Sequence, residues 1–429
     1  MIANYELVVV GGGPAGLAAA LEARKNGVEK IIILERDKYL GGILQQCIHN
    51  GFGLDYFKEE LTGPEYAERF ITNILEEGID YRTETMVIRI TPDREIIALN
   101  QQEGLLRFRA DTIVLAMGCR ERTREAIRVP GERPAGIFSA GTAQRLVNIE
   151  GYMPGKEIVI LGSGDIGLIM ARRMFLEGAE VKGVMEIMPY SSGLNRNKVQ
   201  CLDDFNIPLK LNHTITRING KQRVESVVVQ KVDEKLQPVK GTEELIKCDT
   251  VLFSVGLIPE NELSREIGMK LDRRNGGPVV NELRETEMPG IFACGNVLHV
   301  HDLVDYVTEE GEISGKAVAA YLSGGLRRRK KEVKIEVGED INYVVPHKVI
   351  YKEKGRKRIK LFMRVKRPLE NARINISNQQ DRILLSYKKD LLTPGEMVTV
   401  FLPESILDVQ LSFLKISVDK EGSELVAEN

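Results

Sequence analysis

Apolar residues fall in short runs that glycine closes. Glu6 to Val10 reads as an apolar strand, Gly11-Gly12-Gly13-Pro14-Ala15-Gly16 as a turn, and Leu17 to Lys25 as an alanine-rich helix. A second strand, Lys30 to Leu34, then ends on the acid Glu35. The same order returns later in the chain. A strand over Glu157 to Leu161 leads into Gly162-Ser163-Gly164-Asp165-Ile166-Gly167, a helix running to Glu177 and a strand ending on Glu186. In both copies the acid stands 24 residues beyond the first glycine. Each copy then meets a β-meander and closes on a matching line, Asp111 to Gly118 in one and Asp249 to Gly256 in the other. A whole order of elements repeated in this way predicts two units of one kind.

The residue types indicate what such units hold. The first glycine permits the tight turn from strand to helix, the second lets backbone approach a pyrophosphate, and the third allows close helix–strand packing. The pyrophosphate then rests on free N–H groups at the positive end of the helix. An acid ending the second strand accepts the hydroxyl protons of an adenosine ribose. One glycine turn alone is weak evidence. Two, each with its strand, helix and acid, predict two dinucleotide-binding units on one chain.

Composition narrows the class. With 43 % hydrophobic and 28 % charged residues in 429, the chain is that of a soluble globular protein of two or three domains. No apolar run approaches the roughly 18 residues that cross a bilayer. The N-terminus shows no basic region or cleavage site, so no secretory signal is expected. Cys47, Cys119, Cys201, Cys248 and Cys294 stand far apart with no CxxC, which excludes a disulfide scaffold or zinc ribbon and points to the cytoplasm. The net charge of −2 conceals a basic stretch, Leu326 to Pro368, with 16 Lys or Arg against 5 acids. It lacks the interleaved aromatics of a nucleic-acid surface, and reads as a solvated basic face or a docking surface for an acidic partner subunit.

A third segment, Thr286 to Ala320, is an apolar strand, Gly295-Asn296 and a helix. With it, the chain over about residues 5 to 325 resembles the two-dinucleotide-binding-domain flavoproteins of the thioredoxin reductase and glutathione reductase superfamily. The resemblance implies an α/β fold of two Rossmann-like domains, each a three-layer ββα arrangement, with a discontinuous FAD domain (1–121 and 258–330) enclosing an NAD domain (122–257). Residues 333–429 stand outside that common core. Their short alternating runs, Arg358 to Val365, Ala372 to Ser377, Arg382 to Tyr387, Met397 to Leu402 and Val409 to Val418, predict a small C-terminal all-β domain of β-sandwich type. The resemblance also implies that Gly11, Gly13, Pro14, Ala15, Gly16, Glu35, Arg36, Gly42, Val87, Ala116, Gly118, Gly295 and Asn296 line FAD. Gly162, Gly164, Asp165, Ile166, Gly167, Glu186 and Gly256 would line NAD(H). Asn296 replaces the family's usual Asp, keeping an acceptor but no charge. Glu186 would repel a 2′-phosphate, favouring NADH over NADPH.

Disulfide reductases of that superfamily need a dithiol. The stretch after Gly41-Gly42 carries only Cys47, and Gly136 to Ala143 carries no cysteine at all, so dithiol reduction is not expected. Ala116 to Asn148 is similar instead to the α-type subunits of heteromeric flavin dehydrogenases, namely sarcosine and opine oxidases and hydrogen cyanide synthase. It is most similar to the NAD-linked flavoprotein that accompanies anaerobic-type glycerol-3-phosphate dehydrogenase. This implies hydride exchange between nicotinamide and flavin, and electron transfer to or from a second flavoprotein or iron–sulfur subunit. The β domain and its basic stretch would be the docking surface, so that a chain ending near residue 332 would keep NADH–dye activity.

Two residues stand out as candidates at the flavin face. His301 could bond the flavin's pyrimidine edge, or hold structure at a helix start. Cys47 could be a redox thiol, or a packed small side chain. His299 and His301 with Asp302 or Asp305 form too incomplete a set for a metal, and none is expected. A self-sufficient NADH oxidase or peroxidase using Cys47, and an NADH-sensing flavoprotein without turnover, are the alternative functions.

Overall fold

The computed structural model describes residues 2–325, 331–350 and 358–420. The chain divides into two compact units, Met1–Cys119 with Pro259–Asn429, and Arg120–Ile258. It leaves the first unit to build the second, then returns.

The first unit is built on a seven-stranded sheet. The strand Ile2–Val10 lies between Ile31–Leu34 and Gly104–Leu115, parallel to both, and Asp80–Arg82 extends the sheet beyond Ile31–Leu34. Ile291–Ala293, from the far end of the chain, adds a parallel strand against Ile113–Leu115. Gly104–Leu115 serves twice, because its first half pairs antiparallel with Glu95–Asn100 in the meander Thr85–Ile90, Glu95–Asn100 and Gly104–Leu115. Ile31 to Leu34 is buried along its whole length, as a parallel strand covered on both faces must be.

One face of this sheet carries the helices Pro14–Lys25, Gly63–Glu76 and Val304–Leu322. The alanines of Pro14–Lys25 have a specific use. A Cβ at Gly311 would lie 2.3 Å from the Ala15 carbonyl oxygen, and one at Gly315 would lie 2.4 Å from that of Ala19. Small residues on both helices thus let the two backbones touch.

The second unit repeats the plan. Its five-stranded parallel sheet runs Leu209–Leu211, Glu180–Glu186, Glu157–Leu161, Thr250–Phe253 and Ile137–Ser139. Helices cover one face, and the three-stranded meander His213–Asn219, Ser226–Lys231 and Glu244–Lys247 covers the other. The two units differ at the fifth strand, which comes from Ile137–Ser139 here and from Ile291–Ala293 in the first unit.

The C-terminal strands form two sheets around a core of their own. Sequence patterning finds the strands from Arg358 onward but not Glu332–Val337, Ile341–Val345 and Lys348–Ile350, which precede them. These upstream strands fasten the sandwich to the rest of its unit. Tyr343 and Val345 are buried among Val280, Ile267 and Met269 on the meander side of the large sheet. The His347 N–H donates to the Val280 carbonyl at 3.0 Å, and the Val280 N–H donates to His347 Nδ1 at 3.1 Å.

Of the basic stretch 326–368, residues 326–330 and 351–357 lie outside the described residues. Two of its described cations turn inward, Lys360 pairing with Glu309 at 2.6 Å and Arg364 with Asp302, and the exposed Arg367 pairs with Asp340 at 2.9 Å. These three are therefore committed within the unit rather than offered to a partner. Among the described residues no helix is long and apolar enough to cross a membrane.

Candidate functional site

The two glycine turns are superimposable in their steric logic. Gly11 has φ +107°, and a Cβ there would lie 2.4 Å from the Ala116 carbonyl oxygen. A Cβ on Gly16 would lie 2.0 Å from the Gly11 carbonyl oxygen. Gly162 and Gly167 repeat this, with contacts of 2.0 Å to the Ser254 oxygen and 2.4 Å to the Gly162 oxygen. The first and third glycines are thus demanded by the protein's own backbone.

The second glycine is not. A Cβ on Gly13 would meet nothing nearer than the Gly42 Cα at 4.0 Å, and one on Gly164 nothing nearer than 3.6 Å. Each caps the N-terminus of a helix, Pro14–Lys25 or Asp165–Leu176, in extended backbone that any residue adopts. A glycine kept where the protein leaves room for a methyl group marks space for a close-lying ligand. That space faces unpaired N–H groups at a helix start, which fits a pyrophosphate.

The two acids are held alike. Glu35 accepts the Gly12 N–H at 2.7 Å through Oε2 and the Asp37 N–H at 2.8 Å through Oε1. Glu186 accepts the Ser163 N–H at 2.9 Å through Oε2 and the Met188 N–H at 2.9 Å through Oε1, and Ser163 Oγ adds a bond of 2.6 Å. Each carboxylate is thereby fixed at its turn with lone pairs left for ribose hydroxyls. Tyr190 lies near Glu186, its phenol pushed up by burial and then by the Glu186 charge. The Thr85 N–H donates to the Glu35 carbonyl, bringing the strand that holds Val87 against the first acid. Gly118 and Gly256 end the matching strands with φ +72° and +102°, each facing open space.

Other predicted residues have protein contacts of their own. Asp165 accepts the Leu194 N–H at 2.8 Å and the Asn197 side-chain N–H at 2.7 Å, so its carboxylate holds the start of the helix Asn195–Cys201. Ile166 packs against the helical core of its unit. Arg36 is exposed. Cys47 follows the short helix Gly42–Gln46, its Sγ 3.3 Å from the Ile43 carbonyl. Burial pushes this thiol up to about 12, so it is protonated at neutral pH, which counts against a redox thiolate there. His49 lies apart from the other flavin-side histidines, its Nδ1 3.1 Å from the Asn50 carbonyl oxygen.

The third turn holds what sequence reasoning missed. Gly295 packs against Ala15, where a Cβ would approach that residue's Cβ to 2.8 Å, so this turn adjoins the first. Its N–H donates to Glu310 Oε2 at 3.0 Å. Asn296 accepts the His301 N–H at 3.0 Å. Glu310, wholly buried, also takes Arg284 Nε at 2.9 Å, His299 Nε2 at 3.2 Å and His301 Nε2 at 3.1 Å. Burial alone would raise its carboxyl, but Arg284 and the two imidazoles hold it well below the usual carboxylate range. His299 is drawn down to about 3 by burial and then by His301.

Glu310 and Arg284 lie in unremarkable polar stretches, and only the fold brings them to the histidines. His299, His301 and Glu310 offer ligand-type atoms within 4.8 Å of one another. Their carboxylate is already bonded by both rings and by Arg284, so a guanidinium supplies the cation. Asp302 and Asp305 do not join them. Asp302 is held by Arg364 and by the Met397 N–H, and Asp305 accepts the N–H groups of Asp55 and Tyr56.

Comparison with known proteins agrees with this geometry. The family profile described as pyridine nucleotide-disulphide oxidoreductase matches residues 5–321. The chain is 25 % identical over 315 residues to the hydrogen cyanide synthase subunit HcnB of Pseudomonas protegens, covering 68 % of this chain and 65 % of that protein. Over 340 residues it is 25 % identical to an opine oxidase subunit from Agrobacterium tumefaciens, covering 73 % and 64 %. It thus spans just under two thirds of the length of either relative. Among solved structures it is similar to T. acidophilum thioredoxin reductase, with a TM-score of 0.60 and 25 % identity over 75 % of this chain and 99 % of that one.

Proposed function

The chain belongs to the pyridine nucleotide-disulphide oxidoreductase family, and from that premise we propose that it exchanges hydride between NADH and FAD and passes the electrons to or from a partner dehydrogenase subunit. It is an FAD- and nicotinamide-nucleotide-dependent oxidoreductase. When bound, the flavin supplies the hydride-accepting N5 and the nicotinamide the hydride-donating C4. The protein's task is to hold both nucleotides. Gly13 and the start of Pro14–Lys25 would seat the FAD pyrophosphate, Glu35 its ribose, and Gly295-Asn296 its ribityl end. Gly164 and Glu186 would seat NADH, where the Glu186 charge disfavours a 2′-phosphate.

The observation that carries the partner reading is in the sequence, where no two cysteines stand in the CxxC or C-x4-C spacing of a dithiol that would receive electrons. Electrons therefore leave by another route. HcnB and its opine oxidase counterpart are themselves subunits by name, which supports a partner here. We assign that partner to the flavoprotein or iron–sulfur dehydrogenase subunits, of the glycerol-3-phosphate dehydrogenase type whose accompanying NAD-linked flavoprotein the sequence resembles. Cys47, protonated and bonded to Ile43, makes the self-sufficient oxidase the weaker alternative.

Replacing Cys47 by Ser separates the two. The electron-transfer reading expects NADH-dependent reduction of an artificial dye to stay within about twofold of the parent, because no step uses the thiol. Loss of nearly all turnover in Cys47→Ser, with FAD still bound, would overturn it in favour of the oxidase.

A further inference from the structure

Behind the Gly295 turn lies a set of buried ionisable groups that seating the nucleotides does not require. Arg284, His299 and Glu310 are 1 % or less exposed, and His301 is 8 % exposed. A carboxylate only accepts hydrogen bonds, so the two ring nitrogens facing Glu310, His299 Nε2 and His301 Nε2, both carry the hydrogen. In the neutral rings Nδ1 is therefore a bare lone pair. Both Nδ1 atoms are buried and have no hydrogen-bond partner. The cluster thus holds two unused acceptors with one unused donor, Arg284 Nη2, beside them, which is costly unless the arrangement has a use.

Arg284 and Glu310 balance each other, so with each ring carrying a hydrogen only on the Nε2 that faces Glu310 the cluster has no net charge. One added proton would make it positive. The rings stand 4.1 Å apart, so a second proton would meet strong repulsion. Other charged and titratable groups packed around the rings are Tyr306 and Lys360, whose ammonium lies over the Tyr306 ring at 4.3 Å, the Asp302–Arg364 pair, and Tyr343 beside His299. Asp302 and Arg364 cancel each other, and Lys360 is paired with Glu309 at 2.6 Å, so none of these already supplies the missing charge.

The position matters. Glu310 holds the N–H of Gly295, and Asn296 holds the N–H of His301, so the cluster is bonded twice to the turn that would carry the ribityl end of FAD. Hydride transfer from NADH adds two electrons and one proton to a bound flavin and leaves one negative charge on it.

We propose that the cluster answers this charge by taking one solvent proton on His301 Nδ1, forming an N–H bond and breaking none within the protein. The overall exchange is then NADH, oxidised flavin and one solvent proton giving NAD+, anionic reduced flavin and imidazolium, with charge conserved. Both rings are fully buried, and His301 receives the proton because burial draws His299 down to about 3, which leaves that ring the poorer acceptor. In this role His301 is a proton-accepting residue that acts on the flavin through charge. The proposal rests on the FAD reading above.

The test is the pH dependence of the flavin midpoint potential in the holoprotein. Each proton taken up per two electrons contributes about 30 mV per pH unit. Between pH 7.5 and 9 the parent protein should show about 60 mV per unit, one proton with the hydride and one on the cluster. His301→Asn should fall to about 30 mV per unit, while His299→Asn should keep the parent slope. A parent slope of about 30 mV, or a slope of about 60 mV that survives in His301→Asn, overturns the proposal. If His301→Asn does not fold or hold FAD, 15N-histidine NMR of the parent holoprotein decides. One imidazole should become doubly protonated when NADH reduces the flavin, and none doing so sinks the idea. Absence of bound FAD would instead refute the underlying reading.

Discussion

At Gly16 an added methyl group would press on the Gly11 carbonyl oxygen at 2.0 Å, whereas at Gly13 it would meet only the Gly42 Cα at 4.0 Å. The difference makes a residue-level prediction. Gly13→Ala should fold, because its φ of −79° and ψ of −176° suit alanine, yet bind FAD at least about tenfold more weakly. Gly164→Ala should fold and keep FAD but lose affinity for NADH to a similar degree. Flavin absorbance after desalting and an NADH titration check the pair. Full FAD retention in Gly13→Ala would show that the space is not the pyrophosphate seat. The glycines and their acids were legible from spacing alone, because a backbone that must turn tightly excludes side chains. Glu310 and Arg284 were not, since a buried ion pair between residues 26 apart leaves no period in the sequence. Asp165 shows the reverse. Its place in the turn pattern implied a ligand contact, while its carboxylate holds the start of the helix Asn195–Cys201.

Among the elements, the helix Val304–Leu322 does most to join the site together. Its small residues lie on the alanines of Pro14–Lys25, its Glu310 holds the third turn, and its Asp305 holds the backbone at Asp55 and Tyr56. The C-terminal strands reach the same region. The Phe362 ring lies tilted against His299 and edge-on to His301 at ring separations of 5.5 and 5.3 Å, and Arg364 holds Asp302. The sequence pattern of alternating runs revealed a β domain but not that it closes over the third turn, because such packing depends on Tyr343, Val345 and Phe362, which look like ordinary strand residues. It follows that a chain ending at residue 332 should not keep NADH–dye activity, contrary to what a free docking module would allow. Removing these buried side chains, at about 1.5–3 kcal/mol each, would consume much of the roughly 5–15 kcal/mol that a domain has. The truncated chain is expected to be insoluble or to lack FAD. Soluble protein of that length, with FAD bound and dye reduced by NADH, would contradict the buttressing role.

At the scale of the whole molecule, one supersecondary plan is used twice, each time with a glycine turn, a fixed acid and a meander on the opposite face. That repetition made the fold class readable, since the same spacing constraint was met independently by two segments. The fifth strands and the grouping of the C-terminal sheets with the first unit depend on contacts between distant parts of the chain, which sequence patterning does not record. We propose that the first unit holds FAD and the second NADH, with hydride passing from nicotinamide to flavin and no dithiol taking part. An anaerobic titration of the purified protein with NADH and, in parallel, NADPH, followed by flavin absorbance, tests that claim most directly. The prediction is stoichiometric bleaching of the flavin band by NADH, with NADPH needing at least about tenfold higher concentration because Glu186 repels its 2′-phosphate. A bound flavin that NADH leaves oxidised would contradict it.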